Sequence, residues 1–213
     1  MVEDSWHKKL IPFRQAVEEL KIKFEGIRAE YHNMGIHSPI ELVMGRVKPL
    51  PSILQKAARK QIPEEEIIHR MKDIAGIRIL CQFVDDIYSV VKLIKQRSDM
   101  RVLGEKDYVQ SQKESGYRSY HIVIEYPIHT VSGARNILVE IQIRTLSMNF
   151  WATIEHSLNY KYGGEIPARI QKKLQRTAEA TFLLDEEMSK IKDEIQEAQK
   201  AFARKQRNNP YQK

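Results

Sequence analysis

The sequence predicts an α+β fold, a mixed β-sheet flanked by helices, and three observations carry that expectation. Residues 119–126 and 136–145 alternate apolar and polar side chains with a period of two, and the 127–135 stretch between them, with Pro127 and Gly133, has hairpin composition. Residues 74–81 form another β-rich run, followed by a helical pattern over 86–97. Amphipathic helical segments stand towards both ends of the chain.

Taken in order, the first helix is expected over 5–31, where Leu10, Phe13, Val17, Leu20, Phe24 and Ile27 recur at helical spacing with charges between them. A loop with His37, Ser38 and Pro39 follows, then a short segment ending at Gly45. Pro51 and Ser52 make a good start for a helix running to about Gln61, and Pro63 closes it. The polar stretch through Gly104 and Gly116 reads as a loop of functional length. After the hairpin a helix is expected from Leu146 to about Tyr160, broken by Gly163 and Gly164. Pro167 opens a final helical region to about Arg204, with Leu183, Leu184, Met188, Ile191 and Ile195 along one side. Such a helix either packs on its own domain or forms an oligomer. The last residues, 206–213, read as a disordered tail.

Composition narrows the setting. At 213 residues and 42% hydrophobic content the chain can bury one good core. The lone Cys81 sits in an apolar run, which excludes a disulfide framework and a cysteine-rich zinc site and suits a reducing cytoplasm. No apolar stretch approaches the roughly 20 residues that cross a bilayer, and the start lacks the apolar segment of a signal peptide, so a cytoplasmic protein is expected. The net charge of +7 and a pI near 9.3 point to polyanionic partners, whether nucleic acid, acidic membrane or phosphate-rich small molecules.

Position separates these partners better than charge does. In the 139–144 strand, period-two geometry puts Glu140, Gln142 and Arg144 on one face and Val139, Ile141 and Ile143 on the other, so one side is core and the other is a polar surface. A carboxylate on an internal strand needs a cation or donor nearby. Asp73 lies immediately before the run that starts at Ile74, and Gly76 removes a side chain next to Arg78. Two carboxylates from two strands suffice for Mg²⁺, which keeps several waters and takes further ligands from nucleotide phosphates. Asp73 alone could equally be an ordinary cap. Spacing does not decide whether it meets Glu140.

Ser52, Lys56 and Arg59 fall at i, i+4 and i+7, so a hydroxyl, an ammonium and a guanidinium share one helix face, with Arg46 and Lys48 just upstream. That suits a triphosphate, and it also suits a solvated face. In the 113–121 run, from Lys113 through Gly116 and Tyr117 to His121, an aromatic ring beside a glycine offers a stacking platform, although a Tyr at a strand entrance also serves packing. On the helix after the Glu140 strand, Phe150 and Trp151 are expected in the core, while Asn149 and Glu155 do not share a face.

The segments Gly45-Arg46-Val47-Lys48, Asp73-Ile74-Ala75-Gly76-Ile77-Arg78, Gly116-Tyr117-Arg118-Ser119-Tyr120-His121, Glu140-Ile141-Gln142-Ile143-Arg144 and Asn149-Phe150-Trp151-Ala152, in this order, closely resemble the synthetase domain of the RelA/SpoT alarmone enzymes. Length and flanking helices look like the bacterial stand-alone small alarmone synthetases of the RelQ type. The resemblance implies a five-stranded mixed sheet, nucleotidyltransferase-like, with an N-terminal helix over 1–35, a synthetase catalytic domain over 36–165 and a C-terminal helical region over 166–205. It implies transfer of pyrophosphate from ATP to the 3′-hydroxyl of GDP or GTP, with Mg²⁺ as cofactor. Arg46 and Arg78 would sandwich the adenine, Lys48, Ser52, Lys56 and Arg59 would hold the ATP phosphates, and Asp73 and Glu140 would bind Mg²⁺. Lys113, Tyr117, His121, Gln142 and Asn149 would form the guanine-nucleotide side, with Tyr117 on the base.

The resemblance also implies a homotetramer, and some relatives bind their product as an effector in a central cleft. Glu25 stands where a basic residue would help such a cleft. No His-Asp dipeptide occurs, so the hydrolase motif of the long two-function relatives is absent, and synthesis without degradation is expected. Two other readings share these features. One is an RNA-binding module that uses the basic surface with Tyr117 and Tyr120. The other is nucleotidyl transfer that releases pyrophosphate in place of AMP.

Overall fold

In a computed structural model the described residues are 2–162 and 167–207. The break at Gly163 and Gly164, and residues 208–213 of the expected tail, lie outside them.

The chain begins with α1 (Val2–Asn33), then runs through β1 (Leu42–Val47), α2 (Leu50–Arg59), a 3₁₀ turn (Glu64–Glu66) and the short α3 (Ile67–Arg70). Next come β2 (Ala75–Cys81), α4 (Val84–Lys95), β3 (Arg101–Asp107), β4 (Tyr120–Thr130) and β5 (Gly133–Thr145). Two helices end it, α5 (Leu146–Tyr162) and α6 (Ala168–Arg207). The five strands form one mixed sheet in the order β1-β2-β5-β4-β3. Among the described residues only the central β2–β5 pair is parallel.

The period-two pattern decides which face is buried. On one face Ala75, Ile77, Ile79 and Cys81 of β2 meet Val139, Ile141 and Ile143 of β5 and Ile122 and Ile124 of β4, all essentially inaccessible. Leu10, Phe13, Val17, Leu20 and Phe24 of α1 join the same core, as do Ile87, Val90 and Ile94 of α4, so the helical stripe expected over 5–31 is the one that is buried. Each such side chain contributes roughly 1.5–3 kcal/mol of burial. Helix α1 sits so close to β1 that a Cβ on Gly45 would lie 2.4 Å from Val17 Cγ1. Burial raises the Cys81 thiol pKa, and Cys81 is a free, buried core residue.

Three features differ from the sequence reading. The polar stretch around Gly104 is strand β3, an edge strand with a register shift between Val102 and Gly104. An edge strand exposed on most of its length needs no apolar alternation, which is why its composition reads as loop. The hairpin is longer than expected, since β4 and β5 pair as far as Thr130↔Gly133. Pro127 is tolerated there because β3 pairs with β4 only as far as Glu125. Phe150, expected in the core, is 70% exposed, whereas Trp151 is buried against Ala152 and Ala178.

Candidate active site

The second face of the sheet carries the polar side chains of β5 and its neighbours. Register sets Gly76 beside Glu140, Arg78 beside Gln142, and Arg46 beside Gly76. From the other side His121 lies beside Gln142. A non-local parallel pairing therefore gathers residues that are far apart in sequence.

Two cavities open on this face. The smaller, about 130 Å³, is lined by Arg46, Asp73, Gly76, Arg78, Glu140 and Gln142 among others. The larger, about 480 Å³, shares Arg46, Arg78 and Gln142 and adds Lys113, Tyr117 and Arg144, with Glu155 and His156 of α5. Asp73 and Glu140 thus come together in one cavity.

Each carboxylate is held ionised. Burial works to raise Asp73, but Lys48 and Lys56 override it and keep its carboxyl below the ordinary range. Both ammonium groups donate to Asp73 Oδ2, at 2.8 and 2.6 Å. Burial likewise works to raise Glu140, and hydrogen bonding from His121 and Gln142 brings it below the ordinary value. Gln142 Nε2 donates to Glu140 Oε2 at 2.8 Å, and His121 Nδ1 lies 3.4 Å from Oε1.

Arginines supply the opposite charge. Burial, with Arg144 and Arg46 nearby, lowers the Arg78 guanidinium to about 10, and its Nε is buried without a partner. Three guanidiniums gathered this closely call for an anion. Arg144, 4% exposed, donates to Tyr117 Oη, Gln142 Oε1 and Ser119 Oγ. Tyr117 Oη, which accepts from Arg144, also shares a hydrogen bond with His121 Nε2, 2.8 Å away. A continuous network runs from Arg144 through Tyr117 and His121 to Glu140.

The aromatic wall is cationic too. Lys113 Nζ lies 4.7 Å from the Tyr108 ring centre and 4.8 Å from that of Tyr117, and Tyr108 meets Tyr117 and His121 edge-on.

The sequence-predicted residues therefore divide. Arg46, Asp73, Arg78, Lys113, Tyr117, Glu140 and Gln142 line the cavities. Lys48 and Lys56 join through Asp73, and His121 through Glu140 and Tyr117. Ser52 and Arg59 sit on α2 and line neither cavity. Asn149, in the first turn of α5, lines neither, and its Oδ1 is buried without a partner. Sequence reasoning placed Arg144 on the polar face but assigned it no role, and it passed over Tyr108. The signal for Arg144 was its place two residues beyond Gln142 on one strand face.

The donor set fits Mg²⁺: two ionised carboxylates are hard oxygen ligands, and the adjoining cations suit the phosphates that would complete its shell. Fold and site together define a nucleotide-binding α+β enzyme. The family described as "Region found in RelA / SpoT proteins" matches residues 45–165, and the chain belongs to that family. It is 58% identical over 212 residues, all of both chains, to a protein of Bacillus subtilis (strain 168) named GTP pyrophosphokinase YjbM. The crystal structure of small alarmone synthetase 1 from Bacillus subtilis bound to its product pppGpp superposes with a TM-score of 0.87 at 60% identity, over 90% of this chain and 98% of that one. The same enzyme bound to AMPCPP gives 0.81 at 56% identity, over 91% and 98%.

Proposed function

We propose that this chain is a (p)ppGpp synthetase, a GTP pyrophosphokinase that transfers the β,γ-pyrophosphate of ATP to the 3′-hydroxyl of GDP or GTP and releases AMP. The observation that carries this reading is the junction of two cavities at Arg46, Arg78 and Gln142, one walled by Asp73 and Glu140, the other by Lys113 and Tyr117. Similarity to a relative that bears this name along its whole length supports it.

On this reading ATP lies against β1, β2 and α2. Arg46 and Arg78 flank the adenine, and Lys48, Ser52, Lys56 and Arg59 hold its phosphates. The acceptor lies in the larger cavity, with its base on Tyr117 and its phosphates near Lys113. Asn149, whose buried oxygen is unsatisfied, completes that side with Gln142 and His121. Asp73 and Glu140 would hold Mg²⁺, which when bound disperses phosphate charge.

The reaction joins the acceptor 3′-oxygen to the β-phosphorus of ATP and breaks the bond between that phosphorus and the oxygen bridging to the α-phosphate. The leaving AMP keeps that oxygen. Most of the work is positioning and charge stabilisation. Ionised Glu140, in the smaller cavity beside the shared Gln142, accepts the hydroxyl proton, while Gln142 and His121 hold its two oxygens in place. Cations around Asp73 stabilise the departing phosphate.

The finer reading extends to assembly and compartment. Leu183, Leu184, Met188, Ile191 and Ile195 of α6 are 44–55% exposed, which supports a homotetramer built partly through this helix. Among the described residues no helix is long and apolar enough to cross a membrane, and the free buried Cys81 suits the cytoplasm.

The test is incubation of the purified protein with γ-labelled ATP, Mg²⁺ and each guanosine acceptor. Label should enter the guanosine product at its 3′ position while unlabelled AMP accumulates. Labelled free pyrophosphate in its place would establish nucleotidyl transfer and overturn the assignment.

A further inference from the structure

Helix α6 lies beyond the residues matched by the family, 45–165, yet one of its faces is fastened to the acceptor side of the pocket. Gln175, Ala178, Phe182 and Asp185 recur at helical spacing along that face. The turn that carries Lys113 and Tyr117 closes on itself, with Gly116 N–H donating to Lys113 O at 2.8 Å and Lys113 N–H to Tyr117 O at 3.2 Å. Gly116 has φ +88°, and a Cβ there would lie 2.4 Å from Ala178 Cβ, so the turn rests directly on α6. Gln175 Nε2 donates to Glu114 O at 2.7 Å, a second tie to the same turn. The Arg118 guanidinium lies 3.7 Å from the Phe182 ring centre, which holds the start of the strand after it.

Ten residues beyond Gln175, about 15 Å along the helix, buried Asp185 accepts from Thr145 Oγ1 at 2.8 Å. Thr145 Oγ1 in turn accepts Met148 N–H at 3.1 Å, which caps the helix whose residues Glu155 and His156 line the larger cavity. Trp151 Nε1 donates to Leu174 O and Thr177 Oγ1, so α5 is bound to α6 a second time. The ATP-side residues are held otherwise: Arg46 and Arg78 stand on strands paired to each other, and Asp73 is gripped by Lys48 and Lys56.

We infer that α6 is the strut that positions the acceptor pocket, and that Gln175 and Asp185 are positioning residues for the guanosine nucleotide. The inference rests on the assignment of Lys113 and Tyr117 to the acceptor. Neither residue lines the larger cavity; Gln175 acts through the Glu114 carbonyl it holds, and Asp185 through the Thr145 hydroxyl that caps α5. Loosening α6 lets the turn and the first turn of α5 drift, while the ATP side keeps its geometry.

Gln175→Ala and Asp185→Ala each remove one tie, and Asp185→Asn keeps an oxygen for Thr145 to donate to. Each alanine variant should raise the KM for GTP and GDP by about 2- to 10-fold, the range of one hydrogen bond. The KM for ATP should stay within about twofold, and Asp185→Asn should return the acceptor KM towards wild type. Calorimetric titration with GTP in the absence of ATP should show the same weakening without turnover. An unchanged acceptor KM in both alanine variants, or equal rises for both substrates, would overturn the inference. Should the wild type make no product, the synthetase reading fails, and the GTP titration of the same variants still decides whether α6 positions that pocket.

Discussion

At Glu140 two influences oppose each other: burial favours the neutral acid, while His121 and Gln142 favour the carboxylate and prevail. On the proposed mechanism, a carboxylate already ionised and fixed at both oxygens needs little reorganisation when the acceptor hydroxyl approaches. Glu140→Gln keeps the shape and removes the charge. We expect turnover to fall by about 100-fold or more, with an unchanged circular dichroism spectrum; substantial residual synthesis would take Glu140 out of the chemistry. Tyr117 gives a second residue-scale test. Base stacking is worth about 1–3 kcal/mol, so Tyr117→Ala should raise the acceptor KM by about 5- to 150-fold and leave that of ATP nearly unchanged. A rise for ATP alone would reverse the two pockets. Tyr117 and Glu140 were legible because each lies in a short run whose residue types suggest a task. Arg144 was less so, because an arginine two places along a polar face gives no sign in one dimension that it will be buried and bonded to three partners.

Strand β5 is the element around which the site is organised, since its parallel pairing with β2 sets Glu140 level with Gly76 and brings it into one cavity with Asp73. Alternation identified β5 and β4 from sequence, but the order of strands did not follow from it, because pairing partners are chosen by long-range packing and not by local pattern. Strand β3 shows the converse. Its edge position exposes most of it, so the apolar alternation that marks a half-buried strand is missing. Beside it, Asp99 ties the turn after α4 back to α1: Arg97 and Lys23 both hydrogen-bond its carboxylate and hold it well below the ordinary range, against the effect of burial. A depressed pKa contributes stability that is present above the unfolded value, about 3.9, and is lost as pH falls towards the folded one. Asp99→Asn should therefore lower Tm at pH 7, and the gap to wild type should narrow progressively below about pH 4. A gap that is constant from pH 7 to pH 2 would show that the carboxylate's charge is not what matters.

For the whole molecule, α6 has two working faces. One holds the acceptor turn and α5 through Gln175, Ala178 and Asp185. Another exposes Leu184, Met188 and Ile191, an apolar stripe that a second copy would cover. If the proposed homotetramer forms through this stripe, replacing Leu184 and Met188 together by Glu should split it into smaller species, measurable by light scattering after size exclusion, with each protomer still folded; an unchanged mass would place the interface elsewhere. The amino-acid sequence by itself determined the mixed α+β class, the buried stripe of α1, the alternating pair β4 and β5, and the set of charged and aromatic residues fit for two nucleotides. Those are properties of contiguous residues, and periodicity and residue chemistry read them directly. Only the tertiary structure decided that Asp73 and Glu140 share a cavity, that Lys48 and Lys56 close on Asp73, that Arg144 bonds to Tyr117, and that α6 presses on Gly116. Each of these depends on which strands pair and where a distant helix docks, and that is settled by burial summed over the whole chain, which no local stretch encodes.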